Sequence, residues 1–187
     1  FMQKEYEGSQ EDIDNYIGGL QKTRGLSLSQ VLSRDSRNRA EFPTNGSTFI
    51  LENTYSGGIL GGNENFQKHM LTLDWFTPTF SKFILYNSVK LGVIKTLDVG
   101  DSVQSFVPFD ERFIMGGNGI PYGNALRGYP DNAIGPQTVT GQAVGGNSIG
   151  RFITELRFPL SENPVIYIMA FGAVSYTHLR AHETATY

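Results

Sequence analysis

Phe66-Gln67-Lys68-His69-Met70-Leu71-Thr72-Leu73-Asp74-Trp75-Phe76-Thr77-Pro78 reads with a period of two. Leu71, Leu73 and Trp75 fall on one side and Lys68, Thr72 and Asp74 on the other, the alternation of a β-strand rather than the 3.6 period of a helix. Pro78 stops the run, because it has no N–H to give to a ladder. The same pattern extends outward in both directions. Downstream, a strand at about 82–95 sets Phe83, Leu85, Val89, Leu91 and Val93 against Tyr86, Ser88, Lys90 and Gly92. Upstream, a strand at about 47–56 sets Phe49, Leu51 and Tyr55 against Thr48, Glu52 and Thr54. Before it, Leu26, Leu28 and Leu32 alternate with Ser27, Ser29 and Ser33, and a turn from Asp35 to Gly46 ends in Phe42-Pro43-Thr44-Asn45-Gly46, where Pro and Asn-Gly favour chain reversal. A fifth strand runs from Asn147 to Leu160, with Phe152, Leu156 and Phe158 opposite Arg151, Glu155 and Arg157. A sixth, Val165 to Phe171, begins as an apolar run.

Alternation of this kind suits both a soluble β-sandwich and a transmembrane β-barrel. Two details bear on the choice. The less apolar faces carry charge in mid-strand, at Glu52, Lys68, Asp74 and Lys90. Trp75, Phe76, Phe80 and Phe83 crowd one tight turn, as an aromatic girdle at a membrane interface would.

Composition limits the remaining classes. The 187 residues include 15 Lys+Arg and 18 Asp+Glu, for a net charge of −3, which offers no basic field to nucleic acid. Cys is absent, so disulfide scaffolds, Cys-ligated zinc and thiol catalysis are excluded. With 22 Gly, 13 Phe and 9 Tyr, the chain reads as all-β and turn-rich. No apolar window is long enough for a transmembrane helix, but a barrel strand needs only about 9–11 residues. Residues Phe1 to Tyr6 show no positive region followed by an apolar run, so no signal peptide is expected there. Residues 1–23 are polar, with Glu5, Glu7, Glu11, Asp12 and Asp14 clustered before Gly18-Gly19; they are expected to form a loop segment that includes at most part of a strand.

From Asp98 to Gly146 periodicity is lost for nearly fifty residues, far beyond the ~12–15 residues usual for an unstructured loop in a compact domain. Yet the segment holds Phe106, Phe109, Phe113, Ile114, Met115, Ile120, Tyr122, Leu126, Tyr129 and Ile134. A loop this apolar must pack against something, and a barrel lumen is the economical place.

Within and after it comes an ordered series: Glu111-Arg112-Phe113, Gly116-Gly117, Ala125-Leu126-Arg127-Gly128-Tyr129, Ile134-Gly135-Pro136, Gly145-Gly146-Asn147 and Glu155-Leu156-Arg157-Phe158-Pro159. From about residue 24 to 172 the chain resembles the C-terminal barrel of the BamA/TamA superfamily of outer-membrane-protein assembly factors. The Phe42–Gly46 turn is similar to one those barrels carry two hairpins earlier. The resemblance implies about six strands, the eighth to the thirteenth, of a sixteen-stranded antiparallel barrel fed by periplasmic POTRA domains. It implies that residues 1–23 are an extracellular loop segment. The loop at about 98–146, with Leu126, Arg127, Gly128 and Tyr129 as its motif, would fold into the lumen, and Glu155 on the next strand would partner Arg127. A guanidinium in a partly occluded lumen needs a carboxylate that fits its planar fork, and parity puts Glu155 on the charged face. The family usually places a second acid on the following strand; here that stretch reads Ala170-Phe171-Gly172-Ala173, so a second carboxylate for Arg127 is missing.

The implied setting is the bacterial outer membrane. The implied partners are unfolded outer-membrane proteins as clients, periplasmic accessory lipoproteins and outer-membrane lipid. No catalysis, cofactor, metal or nucleic acid is expected. The implied mechanism is β-augmentation at a weak seam between the first and last strands. The alternatives are the barrel of a two-partner-secretion translocator, a passive pore, or a soluble β-sandwich binding module.

Residues 174–187 resemble the translation of a transposase-type sequencing-library adapter, whose codons give Val174 to Glu183 residue for residue. On that reading 173–187 is a non-native tail, and the His178/His182 pair beside Glu183 is no metal site. Three further patterns lack the context their chemistry needs. Gly146-Asn147-Ser148-Ile149-Gly150 has a loop before it and a strand after it, not the strand and helix of a nucleophile elbow. Gly117-Asn118-Gly119 follows no strand. Asp12-Ile13-Asp14-Asn15 lacks the glycine and terminal glutamate of a calcium loop. His69 is read as structural.

Overall fold

The computed structural model describes residues 2–5, 22–98, 107–119, 123–138, 141–162 and 165–178. Six antiparallel strands form one sheet in simple sequence order: β3 (Ser27–Asp35), β4 (Gly46–Ser56), β5 (Phe66–Pro78), β6 (Ile84–Thr96), β7 (Ser148–Glu162) and β8 (Val165–His178). Each strand pairs with its chain neighbour, so the sheet is a meander with β3 and β8 as its outer strands. β1 (Met2–Glu5) and β2 (Lys22–Gly25) pair antiparallel as a separate two-stranded sheet. The segment read as loop therefore contributes a strand at each end; most of it, including Glu7, Glu11, Asp12 and Asp14, lies outside the described residues. Among the described residues no second sheet faces the six-stranded one, and the β-sandwich reading is not favoured. An all-β partial barrel wall is what is observed.

The register places like with like. On one face Leu32, Leu51, Leu71 and Leu91 lie in a row across four strands. The next row runs Phe49, Leu73, Val89, Phe152 and Val174. This face is open: Leu28 is 64% exposed and Val174 71%. The other face carries Glu52, Lys68, Asp74, Lys90, Arg151, Glu155 and Arg157, and the long loop lies over it. Packing is thus inverted relative to a water-soluble sheet, whose apolar face is the one it hides.

The covered face is not uniformly polar. At the end where the long loop leaves β6 and enters β7, Phe66, Ile94 and Ile149 form a core with the loop's Val107, Phe113 and Met115. Met70 and Ile134 pack against it. Among its described residues the loop carries a short 3-10 turn at Phe109–Glu111 and scattered bridges: Phe113 with Gly146, Met115 with both Asn124 and Ile134, Gly117 with Leu126, and Gln137 with Ala143. Met115 is their hub and is fully buried. Phe106, Ile120 and Tyr122 lie outside the described residues.

Two expectations change. Phe76 does not join an aromatic girdle; it points to the covered face and stacks on Tyr86 at 4.8 Å. The ring cluster near the turn is Phe80, Phe83 and Phe158, with both spacings 4.8 Å. Strand β8 also runs well past Phe171, to His178, and its pairing with β7 continues through Gly172 without a break. Val174, Tyr176 and His178 alternate with Ser175 and Thr177, a pattern that pairs as strand whatever its origin. Residues 179–187 lie outside the description.

Gly92 shows why one strand position must stay bare. A Cβ there would sit 2.6 Å from the Phe113 ring and 2.7 Å from Ile149, inside contact distance. The missing side chain is the socket that lets the loop's Phe113 reach the wall. Gly92→Val should therefore destabilise the loop's docking by about 1–3 kcal/mol through overpacking. Limited proteolysis of the intact barrel should show faster cleavage within residues 107–138, with the strands still protected.

Candidate functional site

Five strands of the covered face, β4 to β8, and one loop turn build the site. Strand β7 places Glu155 and Arg157 two residues apart, so both point to the same face. Register sets Tyr86 of β6 opposite Glu155, and Phe76 of β5 opposite Tyr86. Above them the loop turn at Ala125–Tyr129 brings in Arg127, helped by Gly128 at φ 90°, a conformation few side chains tolerate.

Arg127 Nη1 donates to Glu155 Oε1 at 3.2 Å. The structure thus brings together the two residues the sequence pairs. It also adds a partner that the sequence reading left unassigned. Arg157 donates from Nε to Glu155 Oε2 at 2.8 Å, and its Nη2 lies 2.6 Å from the same oxygen. The Glu155 side chain is 5% exposed, Arg157 20% and Arg127 60%. One buried carboxylate is therefore held between a sheltered guanidinium on its own strand and an exposed one from the loop. The signal for Arg157 was present in the sequence, since residues i and i+2 on a strand are same-face neighbours.

Arg157 also lies 4.2 Å over the Tyr86 ring and 5.6 Å from that of Phe76. Tyr86 Oη donates to Asp74 Oδ1 at 2.9 Å, and Thr48 Oγ1 donates to Asp74 Oδ2 at 2.9 Å. The polar contacts so run from the loop across β7, β6 and β5 to β4. Where the family resemblance implies a second acid for Arg127, β8 supplies softer groups. Met169 Sδ is 3.5 Å from Arg127 Nη1, and the Phe171 ring centre is 5.9 Å from its guanidinium carbon.

The rest of the motif acts through backbone and burial. Leu126 is buried, and its N–H donates to the Gly117 carbonyl at 3.1 Å. The Tyr129 carbonyl accepts from Gly117 N–H at 2.9 Å, while the Tyr129 side chain is about half exposed. Three further cations of the wall reach the loop. Lys68 Nζ donates to the Glu111 carbonyl at 3.0 Å and its carboxylate at 2.9 Å, Lys90 Nζ to Asn124 Oδ1 at 2.6 Å, and Arg151 Nη1 to the Ala125 carbonyl at 2.9 Å. Lys68 also sits 5.3 Å over the Phe113 ring. Away from the site, His69 on the open face takes part in a hydrogen bond between its Nδ1 and Asn53 Oδ1 at 2.8 Å, with Tyr55 edge-on. Ser148 opens β7, and its hydroxyl donates to the His178 carbonyl at 3.3 Å.

An antiparallel sheet with an apolar open face, a charged inner face and a long loop pinned to that inner face is the wall of a β-barrel of the membrane-inserted type. Its sequence matches the model of the Omp85 superfamily domain over residues 3–176. The chain belongs to that superfamily. It is 29% identical over 142 residues to the outer membrane protein assembly factor BamA of Nitratidesulfovibrio vulgaris (strain Hildenborough), a match that covers 73% of this chain and 17% of the relative. The crystal structure of BamA from Haemophilus ducreyi lacking POTRA domains 1–3 superposes with a TM-score of 0.67 at 21% identity, covering 83% of this chain and 30% of that one. This likeness is one of fold.

Magnitudes separate the two arginines. An ion pair with one largely exposed member contributes about 0–1 kcal/mol, whereas stripping a buried ion of its partner costs about 3–5 kcal/mol. Arg127→Ala leaves Glu155 still bound by Arg157 and should cost little in stability. Glu155→Ala strands the sheltered Arg157 and should cost several-fold more. Heat-modifiability of the intact barrel on gels measures both, and equal effects would contradict this ranking.

Proposed function

We propose that this chain is part of the wall, with its lumen loop, of a bacterial outer-membrane barrel that folds and inserts other barrel proteins. The observation that carries the reading is the docked loop. A motif of Leu126, Arg127, Gly128 and Tyr129 is held on the inner face through Glu155, in a chain of the Omp85 superfamily. The kinship with a protein described as an assembly factor supports it, although the chain spans only 17% of that relative. Its partners on this reading are unfolded outer-membrane proteins as clients, periplasmic accessory lipoproteins and the surrounding lipid. No step of such work needs covalent chemistry. An incoming strand adds to a weakly paired seam through backbone hydrogen bonds, and the loop's part is to hold the wall in register meanwhile. Residues 1–23, which include β1 and the start of β2, belong on the same reading to an extracellular loop.

The open face supports the membrane setting. At one level Asn53 Nδ2 donates to Gln30 Oε1 at 3.4 Å, and Asn53 also pairs with His69, a polar ladder across β3, β4 and β5. Near the opposite ends of the strands lies the Phe80–Phe83–Phe158 cluster. Counted from His69 along β5 into the turn that holds Phe80, these markers are roughly ten residues apart, about the length a tilted strand needs to cross the hydrocarbon.

Depletion of the full-length protein in its host tests the role. The expected result is a general fall in folded outer-membrane barrels. Loss of a single secreted protein with barrels unchanged would instead point to a two-partner-secretion translocator. A second test addresses the lipid face. Leu73→Arg should destabilise the folded barrel by about 2–4 kcal/mol, the cost of Arg near the bilayer midplane, while Ser33→Arg on the inner face should be tolerated. Urea unfolding in lipid vesicles reads the difference. We also propose that residues 174–187 are adapter-derived; codons other than the adapter's in the source DNA would refute it.

A further inference from the structure

The turn between β3 and β4 leaves the sheet at the end opposite the long loop. Its Phe42 ring stacks on Tyr167 of β8, with centroids 5.1 Å apart and planes 11° off parallel. Three strands, β5, β6 and β7, lie between β4 and β8. The contact therefore spans four strand spacings, roughly 19 Å along the wall at about 4.8 Å each. Only a turn folded beneath the inner face covers that distance. Tyr167 is two residues before Met169 and four before Phe171, both of which reach Arg127, so it faces inward as they do. Arg37 shows the same inward course of the turn. Its guanidinium is held above the ordinary pKa first by its hydrogen bonds to Asp35 and further by the charge of Asp74 on the inner face.

The turn is stiffened to hold this reach. Asn38 Oδ1 accepts from the N–H groups of Thr44 and Asn45 at 3.1 and 3.2 Å, and Asn38 Nδ2 donates to Thr44 Oγ1 at 2.7 Å. Ser36 N–H donates to the Ser47 carbonyl at 2.9 Å, and Pro43 is buried. Phe42 itself is strained. Its φ is 47°, an outlier for a bulky side chain, and it precedes a proline, which drives its neighbour toward extended backbone. Backbone of this kind persists only where surrounding contacts impose it, and the Tyr167 stack is such a contact. We propose that this turn is a crossbar that closes the lumen at the end opposite the long loop, with Phe42 on Tyr167 as its catch. With the catch made, the turn lies across the mouth of the wall; with it released, Phe42 relaxes to extended backbone and the mouth opens. An aromatic pair and one strained residue are of similar size and opposite sign, which keeps the two states close in free energy. This inference rests on the barrel fold and not on the assembly role.

The test uses the full-length protein in planar lipid bilayers and vesicles. This chain has no Cys, so Phe42→Cys with Tyr167→Cys, in a background otherwise free of cysteine, puts one thiol on each side of the contact. A short bifunctional methanethiosulfonate should bridge the pair in the folded, membrane-embedded barrel, and the bridged channel should stay shut until reductant is added. Phe42→Ala and Tyr167→Ala should each raise the fraction of time the channel conducts by about two- to twelvefold, the factor to which one aromatic pair corresponds at room temperature. The double variant should conduct no more than either single one, whereas Phe42→Tyr, which keeps a ring, should match wild type. The proposal is overturned if the pair does not bridge in protein whose heat-dependent gel mobility shows a folded barrel, because the turn then does not reach β8. It is equally overturned if the pair bridges but both alanine variants conduct as wild type does, since the contact is then a brace without a closing role. Should an alanine variant fail to fold, the bridged pair before and after reductant still decides, and unchanged conductance counts against closure.

Discussion

Glu155 is a carboxylate withdrawn almost entirely from water, and a buried negative charge must be compensated by partners of opposite charge. Its compensation comes from two directions. Arg157, two residues along the same strand, is itself sheltered under Tyr86, so one ion pair is built into the wall. Arg127 arrives from a loop some thirty residues earlier in the chain, so the second pair exists only when the loop is home. The wall therefore compensates the buried charge by itself through Arg157, and the docked loop adds a second, more exposed contact to the same carboxylate. Much of the surrounding geometry serves that docking: the Gly128 turn that aims Arg127, the Gly92 socket that admits Phe113, and the Lys68 and Lys90 contacts that fix the loop's flanks.

The sheet divides its labour by face. On the open side leucines and aromatics lie in rows across the strands with nothing packed on them. On the covered side charge and apolar core are graded along the strands. Phe66, Ile94 and Ile149 receive the loop's own hydrophobic residues near its roots, and the ion pairs hold its far turn. An apolar anchor near the roots and a polar latch at the tip differ in response: burial of Phe113 and Met115 is insensitive to salt, whereas the exposed Arg127 contact weakens with it.

Strand positions and faces were legible in the sequence, because a period of two needs only local information. Phe152 and Leu156 opposite Arg151 and Glu155 on β7 is an example, and it placed Glu155 correctly among the charged residues. What could not be read depends on distant partners. The bridges that organise the loop around Met115 join residues 9 and 19 positions apart with no repeating pattern. Phe76 sits among aromatics that face outward or cap a turn, and only the register reveals that it stacks inward on Tyr86. The pairing of β1 with β2 closes across a polar stretch that carries no alternation. Arg157 lies between these cases: its face was evident, but its hold on Glu155 depends on a rotamer that sequence does not specify.

The loop's attachments are spread across the sheet instead of along one strand. Lys68 belongs to β5, Lys90 to β6, and Arg151 and Glu155 to β7. A strap fastened at successive points crosswise to the strands resists shear between them, since any sliding of one strand past the next would stretch two fastenings in opposite senses. The ladder hydrogen bonds already oppose that sliding locally; the strap opposes it at a distance from the sheet plane, where leverage is greater. Deformation of a barrel built on this wall is consequently steered away from the β5–β7 sector and toward strands that no loop crosses.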